Sequence, residues 1–158
     1  MADAPRPILI IDTSVFVKDA LSKNRTGTAS QILALAPAIG YIVTCDEIVE
    51  EMVEKIVQHA GWTRVQVLEV YGAILAAAVV VTPVPEREDH RRFVNDDADD
   101  TMFVRVAEAI YEQAEGLIAA DQMRIIVSEN THHLRPGSGY AGFLCRTAAD
   151  AVRALTDD

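Results

Sequence analysis

The feature that most restricts this chain is a run of four branched aliphatic residues, Ile8, Leu9, Ile10 and Ile11, closed by Asp12, Thr13 and Ser14. A strand that is apolar at every position has no wet face, so it belongs inside a parallel sheet covered on both sides. The pattern returns at Arg124–Val127, where Ile125, Ile126 and Val127 are closed by Ser128, Glu129 and Asn130. Shorter strand candidates are Tyr41–Thr44, 79–82 and 142–145. Between them, apolar residues at spacings of three and four predict helices over 29–35, 46–58, 64–77, 100–115 and 147–155, and another helix begins at Thr13. The prolines at 83 and 85 with the charged run 86–92 read as a connecting loop, as does 135–139.

Strands alternating with helices predict one α/β domain over 1–158: a three-layer α/β/α fold around a central, mostly parallel sheet of four to five strands, with residues 1–6 as a flexible N-terminus. In such a sheet, ligands bind in the crevice outside the carboxyl ends of the strands. Asp12 and the group from Ser128 to Asn130 should both stand on that rim.

With 158 residues, half of them apolar, the chain can bury one substantial core. No apolar stretch is long enough to span a bilayer and the first residues carry no leader pattern, so a soluble, cytoplasmic protein without membrane attachment is expected. Cys45 and Cys145 are far apart and outside any C-x-x-C arrangement, which reads as two reduced core thiols. The net charge of -10 argues against gripping nucleic acid by broad phosphate neutralisation. It is equally the balance expected where carboxylates gather around a divalent cation.

The acids are unevenly distributed. Asp12 stands at the mouth of a dry strand, where it either caps the following helix or faces a ligand. Four acids in five residues, Asp96, Asp97, Asp99 and Asp100, precede the apolar face of Met102, Phe103, Val106, Ala107 and Ile110. Helix capping accounts for one or two of them, and a bound hard cation would relieve the repulsion among the rest. Glu47, Glu51 and Glu54 share a face of the helix over 46–58, and a solvated face explains any one of them equally well. There Glu51 stands four residues before Lys55.

These segments resemble the motifs of the PIN-domain family. Ile-Ile-Asp12-Thr13-Ser14 is similar to the first motif, a strand ending in Asp-Thr-Asn or Asp-Thr-Ser. Cys45-Asp46-Glu47-Ile48-Val49-Glu50-Glu51 is similar to the second, whose last Glu faces the metal. Asp97-Ala98-Asp99-Asp100, with Ala107 seven residues on, is similar to the third, and Ser128-Glu129-Asn130-Thr131-His132-His133-Leu134 to the fourth. The resemblance covers about residues 8 to 134 and is nearest to the group of putative toxins of toxin–antitoxin pairs. It implies a ribonuclease using Mg²⁺ or Mn²⁺, with Asp12, Glu51 and Asp100 as metal-binding catalytic residues, Asp97 as a supporting ligand and Asn130 at the periphery. One departure stands out: Asn130 occupies the place of the family's fourth Asp. Its amide oxygen can bind a hard cation but adds no charge, and Glu129 or Asp97 is left to compensate.

The resemblance further implies RNA as partner and a cognate antitoxin. Thr13, Ser14 and Ser128 become candidates for fixing ligands or phosphate, and Lys18, Lys23, Arg25, His132, His133 and Arg135 for attracting phosphate. Arg87, Arg91 and Arg92 sit among acids and read as a solvated loop. The small residues of the helix Arg64–Ala77 would suit a homodimer contact or an ordinary core. Three rival readings remain. A phosphatase with Asp12 as nucleophile would normally carry a second Asp at position 14, where Ser14 stands. A zinc site at His132 and His133 lacks further ligands nearby. A catalytically silent module of the same fold, binding protein or RNA, is favoured by Asn130 and by the acidic balance.

Overall fold

The computed structural model describes residues 5–97 and 99–157; residues 1–4, which open the expected flexible N-terminus, Ala98 of the third motif and Asp158 lie outside the described residues. Six strands form one sheet: β1 (Ile8–Ile11), β2 (Tyr41–Thr44), β3 (Val79–Val80), β4 (Arg124–Val127), β5 (Gly139–Tyr140) and β6 (Phe143–Arg146), in the order β3-β2-β1-β4-β6-β5. Every pairing is parallel except β5 with β6. The helices are α1 (Thr13–Leu21), α2 (Thr28–Ile39), α3 (Asp46–Ala60), α4 (Arg64–Ala77), α5 (Glu88–Phe93), α6 (Thr101–Gln113) and α7 (Ala148–Thr156). They cover both faces of the sheet, which makes a three-layer α/β/α fold.

The central strands are buried on both faces, as their unbroken apolar runs require. Leu9 and Ile11 of β1, with Ile125 and Val127 of β4, pack against side chains of α1, α2, α3, α4 and α7. Ile8, Ile10 and Ile126 point the other way, against Phe103, Val106 and Ile110 of α6. Both cysteines are fully buried, and burial pushes the Cys45 thiol up to about 12. No helix among the described residues is long and apolar enough to cross a membrane.

Three expectations need correction. The segment 86–92 is not a solvated loop: α5 forms there, and the Arg87 guanidinium reaches both Asp89 (3.1 Å) and Glu108 of α6 (2.6 Å). His90, fully buried, accepts the Arg87 backbone N–H at Nδ1 (2.8 Å), so its Nε2–H donates to Glu108 (3.0 Å). The second correction is the two-residue strand β5, which falls where a loop was expected. Tyr140 pairs with Phe143 across Ala141 and Gly142, with φ of 51° and 80°, the two left-handed residues of a type I′ hairpin written without the usual Asn-Gly signal. Third, Arg6 does not belong to a free terminus: it donates to the Gly40 carbonyl (2.7 Å) and lies over the Tyr41 ring.

Strand order fixes where a site can form. From β1 the chain moves to β2 and β3 on one side and returns to β4 on the other, so the carboxyl ends of β1 and β4 flank a topological switch point. Asp12 follows one and Ser128 the other. The Asp12 backbone N–H donates to the Val127 carbonyl (2.8 Å), which carries the sheet pairing up to the edge of the crevice.

Candidate metal centre

At that crevice a cleft of about 600 Å³ opens, lined by Asp12, Glu51, Asp100 and Asn130 at its head and by side chains of α1 and α3 along its length. Each acid comes from a different element. Asp12 ends β1, Glu51 lies in the second turn of α3, and Asp100 immediately precedes α6. Asp12 and Asp100 are nearly inaccessible, at 4% and 7% exposure.

Asp12 occupies the N-cap position of α1, yet its carboxylate makes no cap hydrogen bond of normal geometry. Its Oδ2 instead accepts from the hydroxyls of Ser14 (2.8 Å) and Ser128 (2.6 Å). Ser128 Oγ in turn accepts the Asn130 backbone N–H (2.9 Å), and Asn130 Nδ2 donates to Asp100 Oδ2 (2.8 Å). A continuous hydrogen-bonded chain, Asp12–Ser128–Asn130–Asp100, therefore joins two acids that are 88 positions apart in sequence.

Electrostatics at the head of the cleft are unfavourable as they stand. Burial raises the Asp12 carboxyl above the usual carboxylate range, against the hydrogen bonds from Ser128 and Ser14, and the charge of Glu51 adds to the rise. Burial also pushes Asp100 up to about 7, with the neighbouring charges of Asp12, Asp97 and Glu51 acting the same way and the charge of His133 opposing. Desolvated carboxylates facing one another are costly unless a cation offsets them.

Beside Asp100, the side chains of Asp97, Asp100 and His133 each offer a ligand atom, all within 4.8 Å of one another. His133 Nδ1–H donates to the Val94 carbonyl (3.1 Å), and Nε2 faces Asp97 Oδ2 at 3.2 Å, an ion pair when the ring is protonated and a nitrogen turned toward the cluster for a metal when it is not. Metal-binding histidines are commonly oriented in this way, through the nitrogen that does not bind. The cluster could hold a metal ion. A second triad, Asp89, His90 and Glu108, has comparable spacing. There the charges are already matched: Arg87 holds Glu108 down to about 2 and Asp89 lower still, and both His90 nitrogens are engaged.

The remaining candidates separate cleanly. Ser14 and Lys18 line the cleft. Lys18 Nζ stands 3.7 Å from Glu129, whose other oxygen accepts the Ala148 N–H of α7, so Glu129 is turned away from the carboxylates and cannot replace a fourth acid. Thr13 is buried and does not line the cleft, because one residue along a helix turns the side chain by about 100° and Ser14 takes the open side. Arg25 lies outside the cleft, its guanidinium over the Trp62 ring at 5.3 Å. His132 is exposed and lies off the cleft, edge-on to His133, with only its carbonyl engaged, by Asn95. For Thr13, Arg25 and His132 direct contact with a substrate in the cleft is therefore withdrawn.

Five lining residues escaped the sequence reading as site residues: Val17, Leu21 and Ser22 from α1 and its end and, from α3, Lys55 and His59. The last two follow Glu51 at spacings of four and eight, so a helical projection through Glu51 would have found them. Lys55 Nζ lies 2.9 Å from Glu51 Oε1. In comparisons with known proteins, the chain matches no family model, no curated protein and no solved structure.

Proposed function

We propose that this chain is a Mg²⁺- or Mn²⁺-dependent ribonuclease of the PIN-domain type. The observation that carries the reading is the convergence of Asp12, Glu51 and Asp100, from three separate elements, on one cleft at the carboxyl end of a parallel sheet. The donors are carboxylate oxygens, which suit a hard divalent cation, and burial raises the Asp12 and Asp100 carboxyls with the charge of Glu51 adding to both; the ligand atoms of the three acids do not all lie within 4.8 Å of one another, so a bound ion would draw them together. A bound ion would supply Lewis acidity, a water of lowered pKa and compensation for charge on the leaving oxygen.

The protein's own part is placement. Asp12, Glu51 and Asp100 hold the ion, and Ser14 and Ser128 fix the Asp12 carboxylate by occupying its Oδ2. Asp97 and His133 extend the donor set past Asp100, and a nitrogen ligand there favours Mn²⁺ over Mg²⁺. Lys18 supplies positive charge on the open side of the cleft.

The resemblance to toxin–antitoxin nucleases extends the proposal to an antitoxin protein as partner, and to a homodimer formed through the outer face of α4, where Val65, Leu68 and Val70 are exposed. The reading is tested by cleavage of single-stranded RNA with Mg²⁺ or Mn²⁺. Wild type should cut, EDTA should stop it, and Asp100→Asn should lower the rate by at least about a hundredfold. Activity indifferent to that substitution would remove Asp100 from the site.

A second reading rests on Asn130. Its amide presents N–H rather than a carboxylate to Asp100, which suits a module that keeps the fold and binds without cutting. Stabilisation by Mn²⁺ without any cleavage of RNA would favour it.

A further inference from the structure

The cleft changes character along its length. At its head stand the carboxylates; away from the strand ends, α3 contributes Lys55 and His59 at successive turns while α1 contributes Val17, Lys18 and Leu21 on the facing wall. Residues four apart on a helix are separated by about 6 Å along its axis, so Lys55 and His59 form a row of N–H donors leading away from Glu51 on the scale that separates neighbouring phosphates of a single strand. Val17 is half-buried and Leu21 is 54% exposed, an apolar strip beside that row. In a chain of net charge -10, such a local arrangement is what a polyanion requires at its entry. The cleft as a whole, carboxylate head included, has a volume of about 600 Å³, room for a small organic ligand.

We propose that the groove between α1 and α3 is a nucleotide subsite: Lys55 and His59 hold the phosphate adjoining the scissile one, and Val17 and Leu21 carry its sugar and base. This rests on the nuclease reading and adds to it a substrate class, a single strand with at least one further phosphate on one side of the cut. Contact with Val17 and Leu21 makes the subsite tolerant of sequence, since every base has an apolar face, with the Ser22 hydroxyl beside Leu21 as a neutral polar group on that wall. Lys18 on the opposite wall closes the groove around the strand.

The test compares fluorescent dinucleotides with and without an additional terminal phosphate, 5′ or 3′, by anisotropy, with Ca²⁺ replacing Mg²⁺ so that binding is read without turnover. For wild type, a phosphate at one end should strengthen binding about tenfold, and at the other end change it little. In Lys55→Gln and in His59→Gln that increment should fall below about twofold, while the affinity for Ca²⁺ is not weakened. A merely structural role for either residue would lower affinity for all three ligands alike. An equal increment in wild type and variants overturns the subsite and leaves the metal reading standing. A wild type that binds the dinucleotide no better with Ca²⁺ than with EDTA overturns the metal reading, and the subsite with it.

Discussion

Asn130 donates its side-chain amide to Asp100 Oδ2 at 2.8 Å, so a position at the head of the cleft that could have carried another acid supplies a hydrogen-bond donor instead. In the metal-free protein that bond stabilises a carboxylate surrounded by like charges. To serve a cation, the amide would have to turn its oxygen inward. Asn130→Asp should therefore lower the metal-free melting temperature and raise Mn²⁺ affinity by about tenfold, since affinity for hard cations follows ligand charge. Calorimetric titration and thermal denaturation of the same variant check both halves, and unchanged affinity would take position 130 out of the metal's reach.

Asp100 gives the metal-free protein a pH dependence of definite sign. Its carboxyl titrates at about 7 when folded against 3.8 as a model value. The folded state thus binds the proton more tightly, and stability falls as the pH rises from about 4 to 7, then levels off. Asp12 is shifted in the same direction and adds to the fall. Melting temperatures in EDTA should drop by roughly 10 °C across that window, and excess Mn²⁺ should flatten the profile. A metal-free protein that gains stability between pH 5 and 7 would contradict the buried, unscreened character of these acids.

Asp12→Asn separates stability from function. The amide oxygen can still accept from Ser14 and Ser128, and a buried charge is removed, so the metal-free variant should melt no lower than wild type. Stabilisation by Mn²⁺ at a hundredfold excess over Kd, about 2.7 kcal/mol for one site, should disappear. Persistence of that stabilisation would place the cation elsewhere.

His133 tests the donor set beyond Asp100. With Nδ1–H fixed on the Val94 carbonyl, Nε2 is the nitrogen available to a metal. His133→Ala should weaken Mn²⁺ binding by about tenfold and Mg²⁺ binding much less, because imidazole suits the softer ion. Equal losses for both ions would mean that the side chain acts only on the fold.

Tyr71 provides the control. Its hydroxyl donates to buried Asp19 at 2.6 Å, and Ser30 donates to the other Asp19 oxygen. Tyr71→Phe leaves that carboxylate short of a partner and should cost about 1–3 kcal/mol in denaturant unfolding with no change in Mn²⁺ affinity.

What the sequence disclosed follows from how local each signal was. Among the described residues, β1, β2, β3, β4 and β6 and every α-helix but α5 were legible, because apolar runs and periodicity are properties of adjacent residues. The α5 helix was not, since its six residues are nearly all polar and only tertiary contact, Arg87 with Glu108 and His90 beneath it, makes them helical. The hairpin of β5 was hidden because Ala141 adopts a positive φ that its residue type does not announce. Within the cleft, Asp12, Glu51, Asp100 and Asn130 were singled out by motif order. Arg25 and Thr13 were misjudged because closeness in sequence to Asp12 was taken for closeness in space, whereas Lys55 and His59 reach the cleft through the pitch of α3.

The Ser128 hydroxyl that steadies Asp12 arrives 116 residues later in the chain. During synthesis, Asp12 and Glu51 leave the ribosome well before the strand that seats beside β1, and a pairing so distant in sequence forms late and slowly. The cleft is therefore assembled only after Ser128 has emerged, so that a chain stalled before β4 carries all three acids but not the pocket that would arm them.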